Sequence, residues 1–252
     1  MKSLLRRIAQ WSAALPLSML FFCAALPSSA QDNSGSPPSA SPADSLTILN
    51  AFYHRDPNSP SVAMTKAAIA TFGYPGVFAA PPVDDGTRTH FKLRDGSSID
   101  VASSDLARGK AAAKFLTDYP TANQQIADQA ATLYALMIAR AVVLSASNKV
   151  FHDAATWSEA ELLLSGNMVS QKSKRTVAAQ DLPVLLGLKS APLPYRAPLA
   201  YIHTHGGHAA FATGKFIDQG GTATPLWKID LLHGNVLHPG GTHNGADFVL
   251  TQ

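Results

Sequence analysis

The chain has 252 residues, with 20 Lys and Arg, 17 Asp and Glu, nine His and a single Cys. Lys2, Arg6 and Arg7, an apolar run through Leu15, Leu17, Leu20, Phe21, Phe22 and Leu26, and the small residues Ser28-Ser29-Ala30 predict a secretory signal peptide over residues 1–30. Removing it takes three bases and Cys23 away and leaves 17 basic against 17 acidic residues, which excludes a basic nucleic-acid surface, a disulfide, a thiolate metal site and a cysteine nucleophile in the exported chain.

The expected location is therefore periplasmic or extracellular, and no membrane span is expected beyond the signal. Residues 31–43 are rich in Ser, Pro, Gly and Asn and read as a flexible linker. From Asp44 the pattern becomes that of a folded domain, expected to run to residue 252 as one unit of two lobes. Leu46, Leu49, Phe52 and Tyr53 recur at helical spacing. Ser61 is placed to cap a second helix that ends at Gly73. A Pro/Gly-rich loop is expected over residues 73–82. Thr89 to Leu93 and Ser97 to Ala102 alternate around Arg94-Asp95-Gly96 and predict a hairpin.

Asp105–Tyr119 and Ala122–Ser147 read as helices, the second apolar on most sides and therefore buried. Thr156-Trp157-Ser158-Glu159 has the form of a capping box for a short helix to Leu164. Lys172 to Arg175 is a basic run of the kind found in solvated loops. Asp181 to Leu188 reads as a short helix. Leu199–Ile202, Ala209–Phe216, Leu226–Leu231 and Asp247–Leu250 read as strands separated by Gly-rich turns. Helices first and sheet last give an α+β class, a helical N-terminal lobe packed on a C-terminal antiparallel sheet.

His203-Thr204-His205-Gly206-Gly207-His208 concentrates three imidazoles in six residues. Imidazole serves both proton transfer near neutral pH and zinc binding. On a strand, His203 and His205 project to one face and can offer two nitrogens to one ion. This His-Thr-His-Gly run resembles the zinc signature of JAMM-type metalloproteases. That likeness implies zinc as cofactor, with Asp218 as the third ligand, displaced by two residues from the family spacing. His54, His90 and His152 are isolated and read as structural, and His233 and His243 lie in Gly-rich loops.

A second likeness spans more of the chain. Asp84 to Val101, with its Asp-Gly-Thr and Asp-Gly turns, Leu133 to Met137, Thr156 to Gly166, His208-Ala209-Ala210-Phe211, Val236 to Gly241 and Asp247 to Thr251 resemble, in order, segments of bacterial calpain-like members of the papain superfamily. The resemblance implies a papain/calpain-like fold with His208 as the catalytic base. It puts His238 in place of the Asn that orients that base. Ser45, after Asp44 at the start of a helix, stands in place of the Cys nucleophile. A papain-type site depends on a thiolate beside an imidazolium, which Ser does not supply. The implied protein is a secreted peptidase-fold protein that has lost its catalytic residue, needs no cofactor and acts by binding a protein or peptide. A Ser-dependent hydrolase, the zinc hydrolase and a plain secreted binding module stand beside it as alternatives.

Overall fold

The structure is a computed structural model, and it describes residues 42–54, 59–118, 120–165, 177–193, 200–205, 208–226 and 247–252. The described residues form one compact unit. The signal peptide, the linker up to residue 41 and His238 lie outside the described residues.

Two helices open the fold, α1 (Pro42–Ala51) and α2 (Ser59–Phe72). The side chains of α2 are buried almost all round, as expected of a helix covered on every side. It ends where Gly73 takes φ +67° and its N–H bonds to the Ile69 carbonyl. Ser61 is not its cap. The helix starts earlier, at Ser59, and the Ser61 hydroxyl instead donates to the Leu164 carbonyl at 3.0 Å.

The loop expected before the hairpin contains a strand. β1 (Phe78–Asp84) pairs antiparallel with β2 (Arg88–Leu93), which pairs with β3 (Ser98–Ala102). Pro81 and Pro82 are accommodated because β1 is an edge strand, and its register slips between Ala80 and Val83. The helical half thus carries a three-stranded meander.

α3 (Ser103–Ala113) is shorter than its pattern predicts. Lys114 turns left-handed at φ +49°, and Leu116 then exchanges backbone hydrogen bonds of 2.8 and 2.9 Å with Tyr53. That ladder competes with continued helix. α4 (Pro120–Leu144) opens with proline at its first turn, where the missing N–H has no helical partner to lose. Its Asn123–Leu144 stretch is long and apolar enough to cross a membrane, against expectation, but Leu133 to Ile138 are all buried in the core. α5 (Trp157–Ser165) carries the expected capping box, with Thr156 N–H donating to Glu159 at 3.0 Å and Glu159 N–H donating to the Thr156 hydroxyl at 3.3 Å. Two 3₁₀ turns, Ala179–Asp181 and Pro183–Leu186, replace the single helix expected there.

The C-terminal sheet has six strands: β4 (Lys189–Pro192), β5 (Tyr201–His205), β6 (His208–Ala212), β7 (Phe216–Gln219), β8 (Thr222–Pro225) and β9 (Phe248–Thr251). Their order is β4-β9-β5-β6-β7-β8, and every pair is antiparallel. The class is α+β. The strand expected over Leu226–Leu231 lies almost wholly outside the described residues. Instead Gly220 and Gly221, both at positive φ, turn β7 into β8.

The pleat sorts this sheet into two faces. Ile202, Ala209, Phe211, Phe248 and Leu250 join the main core under the helices, α2 lying over β5, β6 and β9 and α1 over β7 and β8. Tyr201, Ala212 and Ile217 form a separate small cluster on the other face, with Ala210 and Val249 beside them.

Candidate functional site

The helix-covered face holds a buried charge pair. Lys66 of α2 and Asp218 of β7 meet at 2.6 Å, with side chains 0% and 8% exposed. The ammonium also donates to the Leu49 carbonyl of α1 at 2.6 Å and lies 4.8 Å from the Phe52 ring centroid. Burial pulls the Lys66 pKa below its ordinary value, opposed by the charge and hydrogen bond of Asp218. The second Asp218 oxygen accepts from the Gly221 backbone N–H at 2.7 Å. A Cβ at Gly221 would lie 2.5 Å from the Tyr53 Cβ, so only glycine fits this turn. Beside the pair is a small cavity of about 40 Å³, lined by Tyr53, His54, Ala209, Phe211, Asp218 and Gly221 among others. By that measure it has room for about two or three waters.

Ser45 lies in the first turn of α1, as the papain-type likeness implies for a nucleophile. Its side chain is 1% exposed, and its hydroxyl has no hydrogen-bond partner among the described residues. A nucleophile must reach a substrate carbonyl, and a hydroxyl buried to this degree does not.

The other face carries His203. His203 faces Ala210 across the β5–β6 ladder, on the side of Tyr201 and Ala212. Its Nδ1 is 3.0 Å from an Asp247 carboxylate oxygen, which also accepts from the Thr204 backbone N–H at 3.1 Å. His203 and Asp247 are 14% and 18% exposed. Burial, and behind it the Asp247 charge, push the Tyr201 phenol up to about 12. A His–carboxylate pair of this kind fixes a ring's tautomer and orientation and leaves Nε2 for other work.

His208 begins β6, and its backbone is in register with His205. The side chains of His205 and His208 lie outside the described residues, as does the convergence of Ser45, His208 and His238.

The zinc arrangement expected from His203, His205 and Asp218 is not built. Ile217 pairs with Ala212 on the outer face, so its neighbour Asp218 points to the inner face, where Lys66 neutralises it. His203 stands on the outer face. The sheet separates the two, and among the described residues no three His, Cys, Asp or Glu side chains assemble for a metal. The miss arises because Asp218 lies on β7, beyond the turn that follows β6, and spacing along the chain does not report which face a residue takes after a turn.

Two residues of the observed pairs were not singled out in the sequence. Lys66 is the lone charge in an apolar helix, a pattern that asks for a buried partner. Asp247 immediately precedes a buried Phe, so alternation sets it on the histidine face. His90, read as isolated, in fact bridges Asp85 and Asp100 on the meander at 3.1 and 2.8 Å. Compared with known proteins, the chain matches no family model, no curated protein and no solved structure.

Proposed function

We infer that this is an exported protein of degenerate papain/calpain-like design that binds a peptide or protein segment and does not cleave it. The burial of Ser45 at 1% exposure carries this reading. The only hydroxyl that stands where the family has its nucleophile is inside the fold, and the sole cysteine of the chain, Cys23, falls within the predicted signal peptide. The order of elements supports the comparison: a helix beginning near the nucleophile position, a strand pair, a long buried helix, a short capped helix, then the strand that begins with His208. Asp218, the acid that the sequence offered as a third metal ligand, is held by Lys66 on the face of the sheet opposite His203.

The test is a mixed peptide library incubated with the purified, untagged protein and read by mass spectrometry. The expected result is selective retention of intact peptides with no new termini. Cleavage that disappears in Ser45→Ala would overturn the reading in favour of a Ser-dependent hydrolase.

A further inference from the structure

Neither the peptide-binding reading nor the metal likeness uses the buried pair of Lys66 and Asp218. Nζ and Oδ2 stand 2.6 Å apart, with the side chains 0% and 8% exposed. The buried Phe52 ring faces the nitrogen at 4.8 Å. Burying both charges costs solvation that their attraction recovers only in part. Burial also draws the ammonium toward the neutral amine, and a desolvated neutral lysine is a nucleophile. The remaining polar contacts match the needs of an amide. The nitrogen has a second acceptor, the Leu49 carbonyl at 2.6 Å, and Oδ1 has a donor, the Gly221 N–H at 2.7 Å. An amide joining the two side chains carries one N–H and one carbonyl oxygen. Its N–H keeps the Leu49 carbonyl, its oxygen keeps the Gly221 N–H, and no buried charge remains.

We propose that Lys66 and Asp218 condense into an intramolecular isopeptide bond that ties α2 to β7 once the chain has folded. One proton passes from Nζ to Oδ2 along the 2.6 Å contact, which gives a neutral amine and a carboxylic acid. The Nζ lone pair attacks Cγ, and the charge that develops on Oδ1 meets the Gly221 N–H. The Cγ–Oδ2 bond breaks, Oδ2 takes a second proton from the nitrogen, and one water leaves. No oxidant, reductant or cofactor enters the balance. The cavity of about 40 Å³ lined by Asp218 and Gly221 has room for the released water. Fixed proximity in a site closed to solvent supplies what two free side chains in water lack. The bond spans 152 residues of sequence, so it constrains the unfolded chain as a long-loop disulfide does. A chain with one cysteine has no internal disulfide to do this. The proposal stands on the α2–β7 contact and is independent of the peptide-binding reading.

The experiment is trypsin mapping by mass spectrometry of the full chain, purified in its folded form and denatured only for digestion. The expected result is a branched peptide, lighter by one water, that joins the α2 segment containing Lys66 to the β7 segment containing Asp218. Cleavage after Lys66 should be lost with it. Chain kept in urea from the moment of isolation should map as linear peptides and gain the branch on refolding. Asp218→Ala should map as linear peptides under both conditions. Linear peptides from the folded wild type, with cleavage after Lys66 complete, overturn the proposal and leave an ordinary ion pair. A branch at Lys66 that persists in Asp218→Ala overturns it as well, because another group is then the acceptor. Retention and cleavage of added peptides are read in a separate assay, so the two claims fail separately.

Discussion

The two faces of the six-stranded sheet use polar residues in opposite ways. On the helix-covered face the charge pair is consumed internally: Lys66 is held by Asp218, the Leu49 carbonyl and the Phe52 ring. On the outer face His203 is oriented by Asp247 through one nitrogen, with the second left for a ligand. Desolvated groups that satisfy one another stabilise or specify a fold, whereas a half-used, pre-oriented imidazole at partial exposure is suited to bind something. The lesson is that proximity to a helix start or a buried charge does not by itself mark the working surface.

Substitutions at Lys66 should test this contrast most strongly. Lys66→Met leaves the Asp218 carboxylate buried without its counter-charge, which by itself is expected to destabilise the protein by about 3–5 kcal/mol in urea unfolding. Adding Asp218→Asn, which removes the charge but keeps an acceptor for Gly221, should restore most of that part of the loss. A double variant as unstable as the single one would show that the unpaired charge is not the source. On the outer face, His203→Ala should lower stability by only about 1 kcal/mol, the worth of one partly exposed hydrogen bond. A loss comparable to that of Lys66→Met would make His203 a structural tie.

Ser45→Ala should change stability by less than about 0.5 kcal/mol or raise it slightly, because it removes a buried hydroxyl with no partner among the described residues. The smallest effect concerns pH. Hydrogen bonds that His90 donates to Asp100 and then to Asp85 raise its pKa. A raised imidazole stabilises the fold fully below its ordinary value of about 6.5, and that contribution disappears as pH rises through the higher folded-state value. Melting temperature should therefore fall slightly from pH 6 to 8 at low salt, and His90→Gln should flatten that slope. The group is exposed, so the effect should shrink as salt is added.

Much of the scaffold was legible in the sequence. The capping box at Thr156, the β2–β3 hairpin and the apolar α4 follow from local patterns that survive folding. What escaped depends on tertiary pairing. β1 tolerates two prolines because it is the edge strand beside β2, and α3 stops early because Leu116 finds Tyr53. At the site, the His-x-His run was legible, but its orienting partner was not: Asp247 lies 44 residues from His203 and reaches it only because β9 adds beside β5. Asp218 was misassigned because spacing along the chain does not report which side of the pleat a residue takes.

The central claim is that the residue at the nucleophile position is sealed inside the fold. A fluorophosphonate probe, which esterifies accessible activated serines, tests it directly on the native protein with peptide mapping. The account predicts no label at Ser45 above background, in the folded protein or after unfolding. Stoichiometric labelling of Ser45 in the folded protein would contradict it.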